Sequence, residues 1–268
     1  MALTRVDPKL LAKVAVENGD DPELLFGLAE LGGDWPRALE INHTNSVIAL
    51  RFACFRATKH NDEAALRWFR YCQTNDTNNV VPWLGEFWVL RRQDKLGDAF
   101  RPPGSATNYR DYAAPAARAR VRVLEKAGYT PYAARRIAIM QNTWVEPMVQ
   151  TLSRMPVTPG TAPFLSNAAR AMERNATFLL TELVGQTLER HVLETMRDAG
   201  EEKIVKQLDE IDDRRDELKR LVSSTERNVI DLATEPEMVQ YYDDVLALGE
   251  EMAMRRLATA VRGKPASP

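Results

Sequence analysis

The sequence predicts an all-α protein. Three observations carry this reading. Apolar residues recur at three- and four-residue spacing almost throughout, which is the helical period. Alternating runs of β-branched residues, the mark of strands, are nearly absent. Glycine is sparse, at 13 of 268 residues. With 44% hydrophobic and 28% charged residues the chain has a globular composition. At this length it can bury a core without metals or disulfides.

The first helix is expected from Asp7 to Asn18, with Pro8 in the first turn and Leu10, Leu11, Val14 and Ala15 on its apolar face. A second follows Asp21-Pro22 and stops at Gly32-Gly33. Asp34 then caps a short third helix. Asn45 or Ser46 opens a helix carrying Val47, Leu50, Phe52, Ala53 and Cys54. Asp62 caps the next, with Ala64, Ala65, Leu66, Trp68, Phe69 and Cys72. Pro82 opens a third, with Trp83, Leu84, Phe87, Trp88 and Leu90. Residues Gln93 to Asn108, with two prolines and two glycines, form a long loop or an insertion between repeats.

Beyond that break a helix is expected from Ala113 to Ala127. Another begins at Thr130-Pro131 and runs to about Arg154, with Trp144 and Met148 on its apolar side and a kink or early end at Pro147. Met155 to Pro163 reads as a linker. One long helix is expected over Phe164 to Asp198 and another from Glu201 to about Leu232. The latter places Ile204, Leu208, Ile211, Leu218, Val222 and Val229 at heptad spacing. Thr234 to Glu237 reads as a capping box, and a last helix spans Pro236 to Val261. The predicted organisation is thus a helical repeat domain over 1–154, a linker over 155–163, a helical hairpin or three-helix unit over 164–262, and a frayed tail over 263–268.

The stretch Asn61-Asp62-Glu63-Ala64-Ala65-Leu66, then Trp68-Phe69, then Asp76-Thr77-Asn78-Asn79, resembles the tetratricopeptide repeat, a helix pair recurring about every 34 residues. Ala53 matches the small position of its first helix. Ala65, Phe69 and Cys72 match the small, aromatic and small positions of the second. Trp83 falls where the following repeat often has Trp. Departures are Ala49 for Trp, Arg56 for the aromatic and Thr77 for Pro. The resemblance covers about residues 45–92 and implies stacked helix pairs with a protein-binding groove. In that antiparallel register Cys54 and Cys72 lie roughly 12 Å apart along the axis. A disulfide needs Cα atoms within about 7 Å, so no bridge is expected.

Charge and motifs narrow the function classes. A net charge of -2 lacks the basic excess of a general nucleic-acid binder. No run approaches the roughly 18 apolar residues of a membrane span. Met1 to Glu17 has no apolar signal core, so a cytoplasmic setting is the default, and a periplasmic one follows only if a leader has been removed. The histidines are His43, His60 and His191, and Glu40-x-x-His43 has no second copy to complete a metal site. There is no nucleophile elbow and no phosphate or dinucleotide loop. No catalytic residue, metal or cofactor is therefore assigned.

Two groups remain as candidate binding residues. One is aromatic: Tyr71, Trp83 and Trp88, lining a repeat groove. The other is the segment with Tyr109, Tyr112, Arg118, Arg122, Arg135 and Arg136, where charge and stacking suit an anionic ligand or RNA. The leading expectation is a non-enzymatic scaffold that binds another protein or peptide. The alternatives are anion or RNA binding through Arg118–Arg136, and a helical enzyme with an unrecognised site. The heptad seam of the C-terminal helices allows a homo-oligomer.

Overall fold

The computed structural model describes residues 6–32, 34–95, 100, 102–141, 157–197 and 202–262, the side chains at 202–203 and 224–228 excepted. Among the described residues the chain forms 13 α-helices, one 3-10 turn and no strand. The first eight are α1 (Pro8–Glu17), α2 (Pro22–Glu30), α3 (Trp35–Ile41), α4 (Ser46–Thr58), α5 (Asp62–Asn75), α6 (Val81–Arg92), α7 (Ala113–Lys126) and α8 (Pro131–Met140). Then come α9 (Ala162–Asn175), α10 (Leu179–Arg197), α11 (Glu202–Asn228), α12 (Glu235–Leu248) and α13 (Glu250–Val261).

Local chemistry sets most boundaries. Asp7, Asp21, Asp34, Asn45, Asn61 and Thr130 each accept a hydrogen bond from a first-turn N–H of the helix they precede. Each such cap is worth about 0.5–2 kcal/mol. Asn61 rather than Asp62 caps α5, and Asp62 is its first residue. The expected capping box is formed, with both the Thr234 N–H and hydroxyl on Glu237. Trp144, Pro147 and Met148 lie outside the described residues.

The two longest expected helices are each divided. The span 164–198 is α9 and α10, separated at Ala176, which leaves the helical region at φ -66, ψ 134. The two pack tightly on each other. Gly185 permits the close crossing: a Cβ there would stand 2.9 Å from the Ala169 carbonyl oxygen and from Met172 Cβ. Pro163 belongs to the first turn of α9 rather than to a linker. The span 236–261 is α12 and α13, separated at Gly249, whose φ of 90 suits glycine. In both cases apolar residues keep the helical period through the break, so periodicity alone conceals it.

Helices α4, α5 and α6 pack in sequence, and α2 lies on α7. Ala53, Ala65, Phe69 and Cys72 are all fully buried there, and both cysteines are free. One core cluster joins Ala49–Val89 of α4–α6 to Phe164, Leu165, Met172 and Leu188 of α9–α10. Another joins Ala113 and Ala117 of α7 to α12 and α13. Both clusters span the proline-rich 155–163 stretch. The heptad face of α11 is used within the chain: Ile204, Leu208 and Ile211 pack on Leu193 of α10, and Leu218 enters the cluster of α12 and α13. No helix among the described residues is long and apolar enough to cross a membrane.

Candidate functional site

The aromatic candidates divide by burial. Trp88 is only 7% exposed and lies under the Arg92 guanidinium, 4.8 Å from its ring centre. Tyr71 and Trp83 are half-buried. The Tyr71 hydroxyl donates to the His43 carbonyl at 3.1 Å, and Trp83 packs edge-on against Phe100. Tyr109 is 2% exposed and donates to Asp111 at 3.2 Å, while Tyr112 donates to Asp76 at 2.7 Å. Burial pushes both phenols up, and the adjacent carboxylates add to the shift.

Of the basic candidates, Arg122 and Arg135 face acids of the same chain. Arg118 donates to the Leu246 carbonyl at 2.9 Å. Arg122 pairs with Glu23 and, at 3.5 Å, with Asp21. Arg135 bonds Asp243 and Glu125, each at 2.7 Å. Arg136 is half-buried and acts electrostatically on Tyr242. These contacts tie α7 and α8 to α2 and α12, while Arg118 and Arg122 stay exposed.

A second charged group joins α2, α4 and α7. Arg51 donates to Glu30 through Nε at 2.7 Å and again through Nη2. Arg120 also donates to Glu30, and its Nε donates to the Ala138 carbonyl at 3.0 Å. Burial pushes the Glu30 carboxyl up, but the two guanidiniums outweigh it and hold the group below its usual range. Burial lowers Arg120 to about 10, with Glu30 opposing. Nearby, burial raises Asp111, and the Ala113 N–H partly offsets it. The backbones touch here: a Cβ on Gly27 would overlap the Ala119 carbonyl. The group is a buried brace. Its sequence signal was a single charge inside each of two apolar runs, Leu24–Leu31 and Val47–Cys54.

A further candidate site, with no counterpart in the sequence reading, lies in the C-terminal helices. It is a cavity of about 620 Å³ where the start of α9, the end of α10 and the start of α11 meet. Leu193, Met196 and Ile204 line it with apolar surface, as do Val157, Pro159, Ala162 and Pro163, and Ser166, Asn167 and Arg170 of α9 supply polar groups. Arg170 Nε donates to the buried Glu189 carboxylate at 2.5 Å. Behind this pair Glu173 is pushed up to about 8, by burial first and then by Glu189 and Glu182. Gln186, wholly buried on α10, has no hydrogen-bond partner for either side-chain atom among the described residues. No sequence pattern marks this cavity, because it forms only when the 164–198 stretch folds back on itself.

His43 and His60 are exposed and His191 half-buried. Among the described residues no three His, Cys, Asp or Glu side chains converge to hold a metal ion. Comparison of the chain with family models, curated proteins and solved structures returns no match.

Proposed function

We propose that the protein is a non-enzymatic scaffold, and that a short apolar segment of a partner protein docks in the groove between α9, α10 and α11. The observation that carries this reading is the groove itself. Its volume of about 620 Å³ lies within the roughly 300–1,000 Å³ typical of binding sites, and it combines an apolar wall with a few polar groups. Met196, on its rim, is 42% exposed, a cost in water that a docked apolar group removes.

Helices α4–α6 are read as a tetratricopeptide-like pair and the first helix of a second pair. Supporting this are the burial of Ala53, Ala65, Phe69 and Cys72 where small and aromatic residues are required, and the seating of the Phe69 ring over Gly85 of α6. In such stacks each pair contacts mainly its neighbours and presents an extended surface to partners. Fold analogy alone is weak ground for function, so the groove bears the weight. The alternative, an anionic ligand or RNA on the Arg118–Arg136 segment, has less support, because Arg122 and Arg135 are paired with carboxylates of the chain.

A photo-crosslinking residue at Gln207, on the groove lining, tests the reading in native cells, with Glu63 on the exposed face of α5 as control. The expected result is a defined protein adduct from position 207, absent from position 63 and lost on Met196→Glu. Adducts that are absent at 207, or indifferent to Met196→Glu, would remove the groove from consideration.

A further inference from the structure

We infer that the groove recognises a chain terminus: apolar C-terminal residues of the partner lie against Leu193, Met196 and Ile204, and the terminal carboxylate sits on the Nη groups of Arg170. This rests on the docking reading above and specifies its ligand.

Charge is the first argument. Arg170 is the one charged side chain among the described residues that line the cavity. Only its Nε is engaged, by Glu189; neither Nη has a hydrogen-bond partner among the described residues, and the side chain is 46% exposed. The buried Glu189 holds the guanidinium through Nε, and Arg170 lines the groove with the edge that carries its two Nη donors unbonded among the described residues. That edge matches the two oxygens of a carboxylate.

Geometry is the second. Ser166 and Asn167 precede Arg170 by four and three residues, so they share its helix face one turn away. They offer a hydroxyl and an amide for the last peptide group of a ligand. Two helix N-termini, of α9 and α11, border the cavity against one C-terminus, of α10, and the balance of dipoles favours an anion. Polar and apolar side chains share the lining of one cavity of about 620 Å³, a span of roughly 8–9 Å. A ligand must therefore present charge and apolar bulk almost at one point. The last residue of a chain does this, since its carboxylate and side chain share one Cα. Capture of a terminal carboxylate is a known mode of peptide recognition.

The test uses the full chain and two sets of fluorescein-labelled pentapeptides that end in two apolar residues, one set as free acids and one as C-terminal amides, read by anisotropy. Free acids are expected to bind at least tenfold tighter than their amides. Arg170→Gln should erase that difference. Because Arg170→Gln leaves Glu189 without its partner, Asn167→Asp provides a second variant on an exposed position, expected to weaken the acids several-fold and leave the amides unchanged. Equal binding of acids and amides would overturn the terminus while leaving groove docking intact. Binding of decanoate by a protein that binds neither peptide set would overturn both readings and assign the cavity to a small amphipathic acid. Silence from all three ligands would overturn both as well.

Discussion

The side chain of Glu250 accepts a hydrogen bond from the backbone N–H of Leu179 at 2.8 Å, and the Glu250 N–H donates to the Thr177 carbonyl at 2.8 Å. The two residues stand at the two breaks that divide the long expected helices. The turn between α9 and α10 is thus clamped by the corner between α12 and α13. Glu250 caps a helix remote in sequence, at the end where a carboxylate also meets the favourable side of the dipole.

Glu250→Ala should therefore destabilise the protein by about 0.5–2 kcal/mol, the range for losing a cap. Glu250→Gln, which keeps an acceptor, should recover more than half of that. Urea denaturation of the three proteins measures it. Equal stability of Glu250→Ala and the parent would mean that the clamp is incidental.

Removal of Glu30 should be far more damaging. Its carboxylate is the shared acceptor of two buried guanidiniums, Arg51 and Arg120. Taking away one partner of a buried charge group costs about 3–5 kcal/mol, because the rest stay desolvated and unmatched. Glu30→Gln is expected in that range, and thermal melts with Glu30→Gln compared with the surface variant Glu63→Gln test it. A loss below about 1 kcal/mol would show water reaching the arginines.

The Glu173 carboxyl predicts a pH dependence of the α9–α10 hairpin. Burial and the nearby Glu189 and Glu182 raise it from its ordinary 4.5 to about 8, with Arg170 opposing. Arg214, Glu217 and Glu251 complete the charges around Glu182. Ionisation is disfavoured in the fold, so the associated stability is complete below about 4.5 and is lost as pH rises through about 8. With solvent screening discounted, Glu173→Gln should stabilise the protein by on the order of 1 kcal/mol at pH 9 and by much less at pH 5. Denaturation curves at the two pH values check the sign. A Glu173→Gln variant less stable at pH 9 would show that the carboxylate has a partner.

Helix type and most starts were legible in the sequence, because they depend on short-range chemistry: Asp21-Pro22, Asp34 and Thr130-Pro131 each announce a cap. The folding back at Ala176 was not. Nothing at Asn175-Ala176-Thr177 breaks the apolar period, and the turn is held by Glu250, which lies 71 residues from Leu179. The candidate groove inherits that difficulty, since α9 and α10 make a pocket only once they are antiparallel neighbours. The arginines of 118–136 show the converse. Their clustering is visible locally, but the acids they meet, Glu23 on α2 and Asp243 on α12, are distant in sequence and appear only with the fold.

Close approach of backbones yields the last prediction. Gly27 lies where α2 meets α7, and a Cβ there would overlap the Ala119 carbonyl and approach Val123 Cγ2 to 2.8 Å. Main-chain atoms of a packed helix cannot step aside, so Gly27→Ala must separate α2 from α7 and loosen the Glu30–Arg120 contact they share. Gly85 is also crowded, but by the Phe69 ring, a side chain that can tilt at some loss of packing. Gly160 has open space around it. Overpacking of a core costs about 1–3 kcal/mol. Gly27→Ala is expected at or above the top of that range, Gly85→Ala within it, and Gly160→Ala near zero. Measured midpoints of urea unfolding should follow that order; a Gly27→Ala protein as stable as Gly160→Ala would mean that α2 and α7 are not in backbone contact and that the buried brace has another geometry.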